Sequence, residues 1–246
     1  MIYEKLRSDS KKFLAVLIDP DKQSDESLSL LVDLAENCRV DFFFVGGSLL
    51  LENNFEHTIR FIKAKSKIPV VIFPGNNYQV SPKADAILFL SLISGRNPEY
   101  LIGQHVVAAP TIKEANIEVL PTGYLLIDGG RTSTTSYITQ TIPIPNDKSD
   151  IAVATALAGE MLGMKLIYLE AGSGAENPVS TEMITAVKRQ VSTPLIVGGG
   201  IRTSEQAEEI CKAGADVIVL GNVLEKDPAL LMEISLAVHA SNTQLL

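Results

Sequence analysis

The sequence predicts an α/β fold of the TIM (β/α)8 barrel type, modified so that its third helix is missing or reduced to a turn. Three observations carry that prediction. Short, fully apolar runs alternate with amphipathic helical segments about eight times along 246 residues, as the strands of a parallel sheet buried on both faces would. No Ser/Gly/Pro-rich tract or charge block interrupts the alternation, and a hydrophobic content of 46% suffices for one sizeable core. The last two apolar runs, at residues 195–197 and 217–220, each break at glycine before a helical segment, at the place where this barrel frequently holds phosphate. Residues 1–246 are therefore read as a single domain, with a doubly wound open sheet as the alternative topology.

Residues 1–12 are polar and charged with some helical character, and a short lead-in helix is expected there. Residues 13–18 form the first strand, which emerges at Asp19-Pro20-Asp21-Lys22. Ser24 or Asp25 caps a helix on which Leu28, Leu31, Ala35 and Cys38 recur at helical spacing. The second strand is residues 41–45, followed by Gly46-Gly47-Ser48, and a helix carrying Ile59, Phe61 and Ile62 leads to the third strand at 68–73. Only residues 74–85, with two prolines and a glycine, precede the fourth strand at 86–90. That interval is too short and broken for a crossover helix, so the flank should open into a groove.

The next helix runs through Tyr100, Ile102 and His105, and the fifth strand occupies 118–127 with an irregular start at Pro121 and Gly123. Residues 129–149 are polar, weakly helical and long for a loop, which predicts a mobile active-site flap. A helix at 151–162 ends at Gly163 before the sixth strand, 166–170. Ser180 caps a helix to Val191, Thr203 and Gln206 form the capping box of another to Ala213, and a final helix is expected over about 227–240.

If that order holds, the loops after strands one, two, six, seven and eight rise from one rim. Gly198, Gly199, Gly200 and Gly221 would let the backbone close around an anion as a phosphate cup. Asp19 and Ser48, at the ends of neighbouring strands, would sit near enough to share one Mg²⁺, which keeps mostly water and phosphate ligands. Lys22 is placed to pair with a diphosphate. Glu170 ends a buried strand, where an unpaired carboxylate is costly, and so points to a ligand. Facing the cup, it suits the hydroxyls of a phosphorylated polyol and the deprotonation of one of them, while Gly172, Ser173 and Gly174 add donors for the phosphate.

A net charge of −8 argues against a nucleic-acid surface. His57, His105 and His239 have no companion ligand or nucleophile at useful spacing, which gives them surface or packing roles. Cys38 and Cys211 lack metal-ligand spacing and read as buried thiols of a reducing compartment. No signal peptide precedes Phe13 and no apolar run is long enough to cross a bilayer, so a cytoplasmic location is expected. Two other readings share the cup. One is a phosphosugar isomerase or thiamine-phosphate-type synthase, for which Asp128 opposite Asp19 is the candidate carboxylate pair; the other is a barrel that only binds a phosphorylated metabolite.

The DPDK segment at 19–22, Phe44-Val45-Gly46-Gly47-Ser48, SGRNP at 94–98, YLEAGSG at 168–174, GGGIR at 198–202 and Gly221-Asn222 together make a specific set. In order, and over nearly the whole chain, they resemble the geranylgeranylglyceryl phosphate synthase family. The resemblance implies a modified TIM barrel without its third helix. It implies an enzyme that alkylates the C3 hydroxyl of sn-glycerol 1-phosphate with a polyprenyl diphosphate, uses Mg²⁺ and releases diphosphate. It further implies that Asp19 and Ser48 hold the Mg²⁺. The glycerol phosphate would be bound by Tyr168, Leu169, Glu170, Ala171, Gly172, Ser173, Gly174, Gly198, Gly199, Gly200, Gly221 and Asn222, with Glu170 drawing the proton from the attacking hydroxyl. Leu17 is a departure, because a bacterial branch with a longer prenyl donor carries lysine there and makes an additional phosphate contact. A homo-oligomer, dimer or hexamer, is expected from an exposed apolar flank, and transient membrane contact from a donor that is lipid-soluble at one end.

Overall fold

The computed structural model describes residues 1–8 and 11–243, so residues 9 and 10 of the lead-in segment lie outside the described residues. The strands are β1 (Phe13–Ile18), β2 (Phe42–Val45), β3 (Val70–Ile72), β4 (Ala86–Leu92), β5 (Glu118–Leu126), β6 (Leu166–Glu170), β7 (Leu195–Gly198) and β8 (Val217–Leu220). All neighbours are parallel and in chain order, and Phe13 opposite Val217 closes the ring between β1 and β8. The closed barrel predicted from the sequence is thus present, and the open-sheet alternative is not. Along each strand the side chains alternate between two apolar layers. Phe13, Phe42, Phe44, Val71, Tyr124 and Tyr168 fill the barrel interior, whereas Leu14, Phe43, Val45, Leu169 and Val197 pack outward under the helices. Burial on both faces is why these runs show no period of two in the sequence.

The helices are α1 (Ile2–Ser8), α2 (Asp25–Asn37), α3 (Phe55–Lys65), α4 (Gln104–Ala115), α5 (Thr134–Thr139), α6 (Ser149–Met161), α7 (Thr181–Lys188), α8 (Ser204–Ala213), α9 (Asn222–Lys226) and α10 (Leu230–Thr243). The lead-in helix α1 closes the end of the barrel where the strands begin. Its Ile2 and Leu6 are buried, and the Ile2 and Tyr3 N–H groups donate to Glu118 Oε2 and Oε1 at 2.6 and 3.0 Å. Those are first-turn donors that no intrahelical carbonyl reaches. Lys5 Nζ lies 5.2 and 4.8 Å from the ring centroids of Phe13 and Phe42, within cation–π range.

Ser24, Ser180 and Thr203 cap α2, α7 and α8 as expected. The box at Thr203 is only half formed, because Gln206 Oε1 accepts from Arg202 N at 2.8 Å instead of returning to the cap residue. No helix separates β3 from β4 among the described residues. The intervening backbone is tied down by the buried Gln79, whose Nε2 donates to Gly47 O at 2.9 Å and whose Oε1 accepts from Gly75 N at 3.2 Å.

The structure adds detail to three of these expectations. The polar stretch 129–149 contains α5, capped reciprocally by Ser133 and Ser136, and buries Ile144 in a bridge to Ile127. The expected final helix over about 227–240 is α10, and a separate short helix, α9, precedes it; Pro228, which lacks an N–H, keeps the two from running on as one. The helix through Tyr100 opens with one wide π turn, Glu99–Gly103, before α4 begins.

Candidate active site

The β6 and β7 loops build a cup from backbone. After Gly198 the chain takes positive φ at Gly199 (+83°) and Gly200 (+73°), and the facing loop does so at Gly172 (+101°) and Gly174 (+71°). A Cβ at Gly199 would lie 2.6 Å from Glu170 Oε1 and 2.7 Å from Gly172 N, so only glycine fits between the two loops. Arg202 clamps them from behind: its guanidinium donates to the carbonyls of Glu176, at 2.8 Å, and Ala175. From β8, Gly221 leads into α9, and Asn222 Oδ1 accepts from Ser173 Oγ at 2.9 Å. Successive backbone bends of this kind make concave anion sites without a charged side chain.

Glu170 stands on the floor beside the cup at 6% exposure. Its Oε1 accepts from Gly172 N at 2.8 Å, and no cation pairs with it among the described residues. Burial raises its pKa above the ordinary carboxylate value, an effect that the Gly172 N–H and the nearby Tyr168 hydroxyl offset only in part. That hydroxyl lies beside the carboxylate but off hydrogen-bonding geometry, and it has no other partner. Burial and the Glu170 charge push the Tyr124 and Tyr168 phenols well above their usual range, so both stay protonated. With Phe73, stacked on Tyr168 at 5.5 Å and 6.1 Å from Tyr124, they form an aromatic floor.

Across the same cavity, about 2070 Å³ out to its open mouth, lie Asp19, Lys22 and Ser48. Asp19 caps the turn after β1 by accepting from Asp21 N at 3.2 Å, and its Oδ2 is 3.4 Å from Lys22 Nζ. Lys22 also reaches Glu225 Oε1 at 3.2 Å. Ser48 Oγ is 3.0 Å from Thr135 Oγ1 of α5. A Cβ at Gly47 would come within 3.2 Å of Asp19 Oδ1, so the glycine keeps space open beside the carboxylate. No cluster of three acidic, His or Cys side chains suited to a metal occurs among the described residues. One carboxylate and one hydroxyl beside an open space fit a cation that takes most of its ligands from water and a phosphorylated substrate.

A second cavity of about 910 Å³ opens where the third helix would have stood. It shares Gly47, Ser48, Phe73, Tyr124 and Thr135 with the polar cavity and continues between residues 74–80 and α4, along Leu88, Leu90, Ala108 and Ile112. His105 is part of this wall: its Nε2 is 3.2 Å from Ser91 Oγ, its ring meets Phe89 edge-on at 4.5 Å, and burial lowers its pKa. The other two histidines are peripheral, His57 pairing with Asp25 at 2.7 Å and His239 lying 3.2 Å from Ser235 Oγ.

Of the residues proposed from the sequence, Asp19, Ser48, Glu170, Gly172, Ser173, Gly174, Gly199, Gly200, Gly221 and Asn222 line one cavity. Tyr168, Leu169, Ala171 and Gly198 do not line it and instead frame it. Leu169 packs outward because neighbouring residues of a strand face opposite sides, and a Cβ at Gly198 would strike Tyr168 Oη and Glu170 Oε2 at 2.6 and 2.8 Å. Asp128 takes no part, since its carboxylate caps its own loop through Gly130 N at 2.9 Å. The sequence reading missed Arg131, Thr134 and Thr135, which the loop after β5 brings to the rim. No spacing rule singles them out in a polar stretch.

An eight-stranded barrel with a glycine-built cup, a buried carboxylate and an adjoining apolar groove defines a class of barrel enzymes whose site has both a polar and an apolar compartment. Within that class the chain belongs to the PcrB family, whose family model matches residues 7–239. It is 54% identical to a geranylgeranylglyceryl phosphate synthase of Chitinophaga pinensis over 94% of this chain and 91% of that protein. It is 46% identical to one of Thermococcus gammatolerans, over 92% and 88%. The crystal structure of (S)-3-O-geranylgeranylglyceryl phosphate synthase from Thermoplasma acidophilum, in complex with sn-glycerol-1-phosphate, superposes with a TM-score of 0.92 at 35% identity, covering 98% and 99% of the two chains. Thiamine phosphate pyrophosphorylase from Pyrococcus furiosus, at 12% identity and a TM-score of 0.59, shares the fold alone. The chain is a prenyltransferase.

Proposed function

We propose that the whole chain is one prenyltransferase domain that transfers a geranylgeranyl group from its diphosphate to the C3 hydroxyl of sn-glycerol 1-phosphate. The observation that carries this reading is one mouth shared by a glycine cup with a buried carboxylate and a second polar site at Asp19 and Ser48, with an apolar groove adjoining it. The cup would hold the acceptor phosphate through backbone N–H groups of residues 172–174, 199–200 and 221–222. Glu170 would accept hydrogen bonds from the glycerol hydroxyls and take the proton of the attacking one, a role its raised proton affinity suits. The freed oxygen bonds to the first prenyl carbon as the carbon–oxygen bond to diphosphate breaks. Phe73 and Tyr124 line both cavities, so their rings would face the positive charge that grows on the allylic carbon.

Asp19 and Ser48 would hold Mg²⁺, and Lys22 would meet the diphosphate directly. When bound, Mg²⁺ supplies neutralisation of the leaving group's charge. The groove would house the prenyl chain. Ile102, Val106 and Val107, all more than half exposed around the start of α4, support homo-oligomer formation, as a dimer or hexamer. The free, buried Cys38 and Cys211 suit a reducing cytoplasm, and no helix among the described residues is long and apolar enough to cross a membrane. Contact with lipid would then be transient, at donor loading.

Purified protein given glycerol 1-phosphate, geranylgeranyl diphosphate and Mg²⁺ should release diphosphate and form an ether lipid phosphate. Absence of product with donors of every length tried would reject the reading.

A further inference from the structure

Three cations line the polar cavity among the described residues: Lys22, Arg131 and Arg202. Neither the first nor the last serves the cup: Lys22 bridges Asp19 and Glu225 on the donor side, and Arg202 is spent on the carbonyls of Ala175 and Glu176. Arg131 has no hydrogen bond or ion pair to any described residue. The cavity's carboxylates, Asp19, Glu170 and Glu225, leave it short of positive charge for two phosphorylated substrates.

The place of Arg131 is specific. Its Nη1 lies 3.8 Å from the point where a Cβ on Gly174 would stand, and Asn222 Nδ2 lies 3.8 Å from the same point. The guanidinium therefore hangs over the cup at the side where the β6 and β8 loops meet, across the mouth from Asp19. Its backbone is anchored: Gly129 O accepts from Glu176 N and Asn177 N at 2.8 and 3.0 Å, and Gly130 N donates to Asp128 Oδ1. Two residues further on, the Ser133 Cβ would be 2.9 Å from a Cβ on Gly172, so the loop after β5 lies directly on the cup.

We propose that Arg131 binds the phosphate of the acceptor and completes the cup as its one uncommitted positive charge among the described residues, fixing which end of the acceptor enters. Backbone donors hold the phosphate from below, and the guanidinium offers a forked pair of N–H groups from above. This assignment rests on a phosphorylated polyol being the acceptor. It gives the otherwise neutral cup a preference for a doubly charged phosphate ester over the uncharged polyol.

The test compares wild type, Arg131→Gln and Arg131→Lys by steady-state kinetics, by inhibition with inorganic phosphate and by calorimetric titration with inorganic phosphate. Arg131→Gln should raise the KM for glycerol 1-phosphate by about tenfold to hundredfold, the value of a charge-assisted hydrogen bond. Inorganic phosphate should inhibit and bind more weakly in parallel, the KM for the prenyl diphosphate should stay level, and Arg131→Lys should recover part of the loss. The side chain is exposed and unpartnered, so the thermal midpoint should not move. An unchanged acceptor KM, or a rise confined to the donor KM, overturns the assignment. Should wild type make no product at all, the proposed reaction falls, while phosphate titration of wild type against Arg131→Gln still decides the role of Arg131.

Discussion

The cup beside Glu170 is made of backbone and the groove beside it of side chains, and the two cavities differ in everything that follows from this. Cup residues sit at the ends of three consecutive strands, where the barrel register fixes them, and glycines make the loops narrow enough to meet. Groove residues come from β4, α4, α5 and a helix-free crossover, and what they share is only the space that a missing helix leaves. A backbone site tolerates almost no substitution and changes little among ligands bearing the same phosphate. A side-chain site tolerates many substitutions, and each one alters its shape. On the proposed reading, head-group recognition and chain-length selection are thus separable in this molecule.

The sharpest test of that separation is at Glu170. Replacement by alanine should cut turnover by about a hundredfold to ten-thousandfold, the range for loss of a general base, with donor KM hardly moved. Diphosphate release under saturating substrates measures it, and retention of turnover would remove the carboxylate from the chemistry. Next in size is Gly199→Ala. The added methyl would press on Glu170 Oε1 and Gly172 N, at 2.6 and 2.7 Å, in a backbone conformation with φ at +83°. The KM for glycerol 1-phosphate should rise roughly tenfold or more, by the 1–3 kcal/mol that a strained conformation costs.

On the other side of the comparison, Ala108→Phe adds bulk to a buried position of the groove wall. Competition between farnesyl and geranylgeranyl diphosphates should shift toward the shorter donor by about tenfold, while the acceptor KM stays put. A change in acceptor KM of similar size would mean that the two cavities are one coupled site.

The smallest effect concerns stability. The pKa of Glu170 is raised in the folded state, so the native protein binds a proton more readily than the unfolded chain and loses stability as pH rises through that value. Glu170→Gln removes this cost and should raise the thermal midpoint at neutral pH by a few degrees, about 2–4 °C per kcal/mol for a chain of this size. As the pH falls below the ordinary carboxylate value, about 4.3, the two midpoints should converge. A variant less stable than wild type at neutral pH would show that the ionised carboxylate helps to hold the loops.

The sequence made the backbone half of this picture legible and the side-chain half obscure. Apolar runs announced every strand, because burial on both faces leaves few polar positions in them, such as Ser91, Thr122 and Glu170. Glycines announced the cup, since positive φ and close approach restrict residue choice more than any side-chain contact does. The absent third helix could be read from two prolines and a short interval. Arg131 could not be found, because an arginine in a Thr/Ser-rich stretch has no local signature and gains meaning only when β5 and β6 bring its loop over Gly174. The same holds for His105, which joins the groove wall through packing on Phe89 with no partner in the sequence to reveal it. The start of α10 beside Pro228 was legible to within a few residues, whereas the five-residue α9 before it was not expected.

The helix α1 has a practical corollary. It seats Ile2 and Leu6 among the first residues of the strands and hangs from Glu118 at the start of β5, leaving Met1 at 86% exposure. A support coupled through Met1 would therefore orient every copy alike, with its entrance turned to the bulk solution. Immobilised protein prepared this way should process lipid-borne donors presented from the far side, and coupling through side chains near Asp19 or Asn222 should abolish that access.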